Sequence, residues 1–386
     1  MKIYSVSLML LLIFVFAAGC GQTDSNSVPE DLADLENLNV YPSDTPVQGE
    51  ITFNQTQVFG ETDSVKFGLI RGLAVDESGR VIISEISEGR AALHVFESEA
   101  SYLASLGNYG DGPGEFRSAI SPQIHNDLLY ILDGSTLKIN IYSLQTLSFE
   151  RSIQLDPREW SHIDELKGTS AYDFHVIDNN RILLAFLKSE GRRDLLYRYM
   201  INGSGEIISD KILEQVLAEH FVVPDNGGIV YSPFSSNGLI TLTENDQLYT
   251  VWTEDILFKQ YTMEGDYLSA FYHPFTNSKL SRQEVLNHQD GEIYEAAVRN
   301  TGFPDAWPAI HSVVVDNSNN FWVSTITDSD ETYEWWVLTT DGDIRTKFQW
   351  PRIKRIKSVT DEMIYALETD PATGIQTIVT YDFSIE

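Results

Sequence analysis

The stretch VVDNSNNFWVS (residues 314–324) joins a run of valines to a polar turn and then to a second apolar run. Asn and Asp favour tight turns because their side chains hydrogen-bond nearby backbone N–H groups, whereas Val, Phe and Trp favour strands. An acidic calcium loop of the EF-hand type needs a glutamate eleven residues after its first aspartate. Since Thr327 stands at that distance from Asp316, the stretch predicts a β-hairpin instead.

The same unit of strand, polar turn and strand recurs along the chain. The other copies are VDESGRVIIS (75–84), IHNDLLYILD (124–133), VIDNNRILLAF (176–186), LTENDQLYTVW (242–252) and VTDEMIYALE (359–368). Their second strands begin 42 to 73 residues apart, a spacing typical of propeller blades. Most units are followed by two more strands joined by Gly/Asp turns such as MEGDY (263–267). The sequence therefore predicts an all-β fold of six four-stranded blades.

The two ends of the chain complement each other. The last unit has only three strands before Glu386, whereas the strand ITFNQTQVF (51–59) precedes the first full unit. Adding this strand to the last blade would close the ring and cover an exposed sheet edge. We therefore predict a six-bladed β-propeller closed by an N-terminal strand; seven blades, with one hidden between the fourth and fifth units, is the alternative.

The long interval between the fourth and fifth units contains SRQEVLNHQDGEIYEAAVRN (281–300). Ser281 and Glu284 have the spacing of a capping box, and helix formers follow. This pattern predicts a helical insertion near 281–300, followed by the aromatic loop TGFPDAWPAI (301–310). Adjacent tryptophans at 335 and 336 face opposite sides of a strand, which predicts that one is in the core and the other is exposed.

The N-terminus has the features of an export signal. An apolar run from Val6 to Phe16 is too short to span a bilayer and ends in small residues. Ala17-Ala18-Gly19-Cys20 resembles a bacterial lipobox, which implies cleavage before Cys20 and lipidation of its thiol. We expect a signal peptide over 1–19, a lipidated cysteine with a flexible acidic tether over 20–49 and the propeller over 50–386. A plain secretory peptide or an uncleaved anchor are the alternatives.

Composition excludes several classes of function. Cys20 is the single cysteine, so neither an intramolecular disulfide nor a thiolate metal cluster is possible. The chain carries 26 basic and 57 acidic side chains, a net charge of −31, which repels phosphate backbones and predicts no nucleic-acid partner. The longest basic run is RIKRIK (352–357), which isoleucines interrupt.

The stretch GNYGDGPGEF (107–116) joins the first two units. Its glycines fit a turn, Phe116 is expected to pack between blades, and two carboxylates are too few for a calcium loop. The pattern G-x-G-P-G-E-F resembles the linker of NHL-type repeats and the family of six-bladed propeller lipoproteins common in Bacteroidetes. This resemblance implies an exported, lipid-anchored propeller and no particular reaction. Gly21 after the cysteine is not an inner-membrane retention aspartate, so we expect the outer membrane by analogy with other bacteria.

No catalytic motif stands out: the chain lacks G-x-S-x-G and H-E-x-x-H. The sequence favours a binding module over an enzyme, with no cofactor and no metal. The loops before each innermost strand meet at the channel mouth, where a sugar, a peptide or an envelope protein could bind. The candidate ligand-binding residues there are Arg71, His125, Asp173, His175, Trp307, His311 and Lys357.

A calcium-dependent hydrolase of the lactonase type is the alternative. Its carboxylates and an asparagine would come from separate blades, so no local motif would reveal them. Carboxylate and amide groups converging on the axis would favour the hydrolase. A mouth lined by His, Arg and aromatic side chains would favour ligand binding, and a wide exposed apolar patch would favour a structural role within an envelope complex.

Overall fold

A computed structural model describes residue 29 and residues 32–60, 65–224, 227–243 and 245–386. The predicted signal peptide and Cys20 lie outside these residues. None of the helices within the described ranges has the length and apolarity needed to cross a membrane.

The chain first runs along the rim of the molecule and then forms three consecutive blades. The rim strands are β1 (Leu38–Val40) and β2 (Ile51–Phe59). Blade 1 comprises β3 (Leu69–Val75), β4 (Val81–Ser87), β5 (Arg90–Phe96) and β6 (Tyr102–Leu106). A short parallel pair, β7 (Asn108–Tyr109) and β8 (Glu115–Phe116), leads to blade 2, which comprises β9 (Ile120–His125), β10 (Leu128–Asp133), β11 (Lys138–Ser143) and β12 (Ser148–Gln154). After α1 (Pro157–Trp160), blade 3 comprises β13 (Ser170–Asp178), β14 (Arg181–Glu190), β15 (Arg193–Ile201), β16 (Leu213–Val222) and β17 (Ile229–Ser232).

Three more blades complete the ring. Blade 4 comprises β18 (Gly238–Leu242), β19 (Leu248–Trp252), β20 (Ile256–Tyr261) and β21 (Tyr267–His273), and it is followed by α2 (Arg282–Asn287) and α3 (Glu292–Thr301). Blade 5 comprises β22 (Ile310–Val315), β23 (Phe321–Thr325), β24 (Thr332–Leu338) and β25 (Ile344–Pro351). Blade 6 comprises β26 (Lys354–Val359), β27 (Met363–Thr369) and β28 (Gln376–Ile385). The predicted six-bladed, all-β fold is therefore confirmed, with each second strand starting within one residue of its predicted position.

The N-terminal strand closes the ring as predicted. β2 pairs antiparallel with β28, from Ile51 opposite Ile385 to Phe59 opposite Ile378, and so becomes the outermost strand of blade 6. β26 in turn packs against β3 of blade 1. The first and last blades are thereby neighbours in a closed ring, and β2 pairs with the edge that β28 would otherwise expose.

The prediction of a flexible tether over 20–49 is wrong for residues 32–49, which we call the strap. β1 adds a parallel strand to the outer edge of blade 4, with Leu38 opposite Ala270. Further along, Gln48 and Gly49 donate backbone hydrogen bonds to blade 5. Leu32 is 4% exposed, because leucines of the strap pack on apolar side chains of blade 4. Their burial makes this segment part of the folded domain.

The helical insertion is present as two helices. Ser281 and Glu284 form the predicted capping box at the start of α2, and α3 packs on β16 and β17 of blade 3. The insertion lies at the end of the propeller where the innermost strands begin and where blades are connected, which we call the loop face. The opposite end carries tight turns such as 76–80 and 316–320, and we call it the turn face.

The core consists of clusters between adjacent blades rather than one central nucleus. Trp335 and Trp336 face opposite sides of β24, yet they are only 2% and 6% exposed. The prediction that one of them is exposed is wrong, because both faces of a blade are covered by neighbouring blades. Phe116 is fully buried between blades 1 and 2, as predicted.

Candidate functional site

Five of the six innermost strands carry a β-bulge near their start. The residue outside the pairing register is Arg71 in β3, Tyr172 in β13, His311 in β22 and Lys357 in β26, and the shift in β9 falls at 121–122. A bulge bends its strand and redirects a side chain. All four named side chains are exposed although they lie on innermost strands, so they line the channel mouth on the loop face.

Blades 5 and 6 bring cations together at this mouth. Arg355 and Lys357 lie two residues apart on β26 and are both exposed. Partial desolvation by the surrounding protein lowers the pKa of Lys357, and the positive charge of Arg355 lowers it further. Neither side chain forms an ion pair or a hydrogen bond with the residues that the structure describes. Two positive charges therefore share the mouth without a described acidic partner.

His311 is held between these cations and an aromatic ring. Its imidazole stacks on Tyr333 with centroids 4.5 Å apart, and the guanidinium of Arg352 lies 4.5 Å from the centroid of the same ring. Arg352 donates to backbone oxygens of Thr332 and Ser329 rather than to a carboxylate. Desolvation and three neighbouring cations lower the pKa of His311 to about 4. At neutral pH His311 is therefore an uncharged hydrogen-bonding group.

Arg71 and Tyr172 occupy the other side of the mouth. Burial raises the pKa of Tyr172, Asp173 and Asp194 raise it further, and Arg71 opposes them. Arg71 has no side-chain partner among the described residues. Tyr231 on β17 is 57% exposed and lies close enough to influence Tyr172. The mouth thus combines cations with tyrosine rings.

Asp173 and His175 lie beside the mouth, within the interface between blades 3 and 4. Arg198, 3% exposed, lies with Nη1 3.8 Å from Asp173 and donates from Nε to Gln215 at 3.2 Å. Burial lowers the pKa of Arg198 to about 10 and that of His175 to about 4. Gln215 continues across the interface to the backbone oxygen of Leu239. This network joins blades 3 and 4. The structure therefore places Asp173 and His175 in the interface between these blades, whereas the sequence predicted them at the mouth.

Two further candidates lie away from the mouth. His125 ends β9 at the turn face, where its Nε2 is 2.8 Å from the side-chain nitrogen of Asn126; it follows its innermost strand instead of preceding it. Trp307 packs edge-on against Phe234 within the core of the insertion. Of the seven predicted residues, the structure brings Arg71, His311 and Lys357 to the mouth, and it adds Tyr172, Tyr333, Arg352 and Arg355.

The cations at the mouth are unfavourable neighbours for a calcium ion. Within the described ranges, no group of three or more His, Asp or Glu side chains could hold a metal. The exposed charged side chains that redirect into the mouth, Arg71 and Lys357, are cationic and would repel Ca²⁺. These residues do not provide the oxygen ligands on which the lactonase alternative depends.

The loop 107–116 has a structural role. Arg117 forms two hydrogen bonds with the carboxylate of Asp111, and Glu115 accepts one from the backbone N–H of Gly112 at 2.8 Å. Both carboxylates therefore have partners within the loop. Tyr142 donates to the backbone oxygen of Gly114 at 2.8 Å, which ties the loop to blade 2.

Several known proteins are similar to this chain. A protein of Bacteroides fragilis described as exported shares 12% identity, with a TM-score of 0.49 over 90% of this chain and 99% of its own. Virginiamycin B lyase from Staphylococcus aureus shares 13% identity, with a TM-score of 0.43 over 86% of this chain and 99% of its own. A Bacteroides thetaiotaomicron protein of unknown function shares 12% identity, with a TM-score of 0.44 over 87% of this chain and 77% of its own. No curated protein sequence matches the chain.

A family model described as a 6-bladed beta-propeller matches residues 61–215, from the connection before blade 1 into β16 of blade 3. This match includes the loop 107–116, whose pattern carried the resemblance to propeller proteins. The chain is therefore a six-bladed β-propeller, and over residues 61–215 it matches the family of that description.

Proposed function

We propose that the protein is a binding module that takes an anionic ligand at the channel mouth. One observation carries the proposal: Arg355 and Lys357 lie together on β26, Arg71 lies on the neighbouring innermost strand β3, and none of the three has an acidic partner among the described residues, although the chain has a net charge of −31. Clustered cations repel one another, and a carboxylate or phosphate group would relieve that repulsion. The rest of the acidic surface would repel such a ligand, which favours binding at the mouth alone.

The neighbouring side chains suit a small organic anion. Tyr172 and Tyr333 provide aromatic surface and hydroxyl groups, and neutral His311 can donate or accept a hydrogen bond. A sugar acid or the carboxylate of a short peptide would use both the cations and these groups. A bare inorganic anion would use the cations alone, and we therefore expect it to bind more weakly.

Calorimetric titration of the purified full-length chain tests the proposal. The probes are galacturonate, an N-acetylated dipeptide and inorganic phosphate, with galactose as the uncharged counterpart of galacturonate; only binding that Lys357→Gln weakens is assigned to the mouth. We expect one of the organic anions to bind, with an affinity that falls as salt concentration rises because the contact is between exposed charges. Lys357→Gln should weaken binding by about tenfold, as expected for loss of one charged contact.

Arg282→Gln is the matched control variant. Arg282 is an exposed cation in α2, so its loss changes the net charge equally without altering the mouth. If Arg282→Gln weakens binding as much as Lys357→Gln does, the effect comes from net charge and the mouth is not the site. If no anion binds even at low salt, the proposal is wrong.

We also propose that the chain is exported and lipid-anchored in the cell envelope, by analogy at the outer membrane. The support is the sequence alone: the apolar run followed by Ala17-Ala18-Gly19-Cys20. Cell fractionation of the wild type and of Cys20→Ser tests the anchor. We expect the wild type in the membrane fraction and the variant outside it; a variant that still sediments with membranes would exclude lipidation as the anchor.

A further inference from the structure

A separate cavity of about 410 Å³ lies on the loop face between blades 3 and 4. Blade 3 contributes His220 and Ser232, β19 contributes Trp252, and the loop after α3 contributes Phe303 and Pro304. This volume lies within the range of small-molecule sites, which are usually concave and partly aromatic. None of the seven residues predicted from the sequence lines it.

Trp252 gives the cavity a fixed aromatic surface. The side chain is 37% exposed, and its indole Nε1 donates to the carboxylate of Glu254 at 3.1 Å. This hydrogen bond holds the ring in one orientation, so little conformational entropy is lost when a ligand packs on it. Phe303 adds a second aromatic side chain from the insertion.

His220 is anchored in the cavity wall by Asp194. It is 9% exposed, and Nε2 lies 2.8 Å from the carboxylate of Asp194, which also accepts from Ser189. Because a carboxylate can only accept, Nε2 donates this hydrogen bond. Nδ1 is buried and has no hydrogen-bond partner among the described residues. Nδ1 therefore belongs to the buried side of the imidazole, and the ring forms part of the cavity wall.

The charges around this cavity are already paired, in contrast to those at the mouth. The carboxylate of Glu219 contacts both Arg192 and Arg193, the latter at 2.8 Å. Hydroxyl groups of Ser232 and Ser235 also line the cavity and lie 3.2 Å apart. A fixed indole face beside serine hydroxyl groups and a paired carboxylate suits a ligand that is apolar on one face and rich in hydroxyl groups at its edge.

We infer that this cavity is a binding site for a neutral saccharide of one or two rings. The ring face would stack on Trp252, and hydroxyl groups would bond to Ser232 and Ser235. The inference rests on the cavity alone and does not depend on anion binding at the mouth.

Saturation-transfer NMR and calorimetry on the full-length chain test the inference. The probes are glucose, galactose, N-acetylglucosamine, maltose and cellobiose, each at about 10 mM, where sites with millimolar Kd are substantially occupied. We expect at least one of them to bind. Trp252→Ala should weaken binding by at least about tenfold, whereas Trp252→Phe, which keeps an aromatic face, should lose less.

Two variants separate this site from other parts of the loop face. Tyr109→Ala removes another aromatic residue, 46% exposed, from the loop between blades 1 and 2, and it should leave saccharide binding unchanged. Lys357→Gln should also leave it unchanged. Circular dichroism and thermal unfolding establish that each variant is folded.

Three outcomes would overturn the inference. The first is that no probe binds, and the second is that Trp252→Ala binds as the wild type does. The third is that saccharide binding is lost in Lys357→Gln and competes with galacturonate, which would place the saccharide at the mouth.

Discussion

The ring of Tyr41 stacks on that of His273, with centroids 4.4 Å apart and planes inclined by 17°. Tyr41 belongs to the strap, and His273 ends the outermost antiparallel strand of blade 4. His273 Nε2 lies 2.7 Å from the backbone oxygen of Gly342 in blade 5, and the hydroxyl of Tyr41 donates to the backbone oxygen of Asp341 at 2.9 Å. This one contact links the N-terminal segment to two blades.

We therefore expect Tyr41→Ala to lower the free energy of unfolding by about 2 kcal/mol, since it removes the aromatic stack and the hydroxyl bond. Tyr41→Phe keeps the stack and should cost about 1 kcal/mol or less. Chemical denaturation followed by tryptophan fluorescence measures both values. Equal stability of Tyr41→Ala and the wild type would show that the strap does not contribute to the domain.

The protonation of His273 should make stability depend on pH. The side chain is 2% exposed, and burial lowers its pKa to about 4 from 6.5. Between these values the unfolded chain binds more protons than the folded chain, so the free energy of unfolding rises with pH. The stability that neutral His273 contributes is therefore present above pH 6.5 and is lost as the pH falls from 6.5 toward 4. One such group contributes a slope of at most about 1.4 kcal/mol per pH unit.

His273→Gln should make the curve of unfolding free energy against pH less steep. The comparison is sharpest between about pH 5 and 6.5, where most carboxylates are ionised in both states. His175 and His311, whose pKa values are also lowered to about 4, remain in the variant and should preserve part of the slope. An unchanged slope in His273→Gln would contradict the burial argument.

The loop 107–116 offers a test of backbone geometry. Gly114 has φ of +67°, and a Cβ at this position would lie 2.7 Å from the ring of Phe149. Gly89 has a similar φ of +76°, but a Cβ added there would meet nothing within 4 Å beyond its chain neighbours. Gly89→Ala should therefore cost only about 1 kcal/mol of backbone strain. Gly114→Ala should cost about 3 kcal/mol or more, because overpacking is added to the strain.

Thermal and chemical unfolding of the two variants measure this difference. A similar loss in both would mean that the neighbourhood of Gly114 relaxes, and that the G-x-G-P-G-E-F pattern reflects turn geometry without tight packing on Phe149.

The fold was predictable because a propeller repeats its local signals. Asp76 and Asp316 each accept from backbone N–H groups two and four residues later, so the turn chemistry that marks a blade in the sequence also forms its hairpin. The strap was not predictable in this way, because β1 pairs with residues more than two hundred positions away. The burial of both Trp335 and Trp336 was not predictable for a similar reason: the alternation of side chains along a strand does not tell whether both faces of the strand are covered.

The candidate site was predictable only in part. Arg71, His311 and Lys357 were predicted from the loops expected just before the innermost strands; the structure places them on those strands, where bulges without a strong sequence signal redirect them. A weak sequence signal exists: each bulged residue lies four to six positions before the aspartate of the turn that follows its strand. This spacing would have predicted Tyr172. The basic run RIKRIK is the other signal, since its Arg355 and Lys357 lie at the mouth.

Anion binding at the mouth should respond to pH through Lys357 and not through His311. The pKa of His311 is lowered to about 4, so this imidazole is neutral from pH 5 to 8 and adds no positive charge in that range. The affinity for galacturonate, which stays ionised throughout, should therefore change by less than about twofold between pH 5 and 8.

The pKa of Lys357 is lowered from 10.5, so the affinity should begin to fall at a lower pH than the one at which an ordinary lysine titrates. Calorimetric titration from pH 5 to 10 measures both parts, with Lys357→Gln expected to lose the alkaline decrease. An affinity that rises steeply below pH 6.5 would instead mean that His311 becomes protonated in this range and that its neighbours do not lower its pKa as far as about 4.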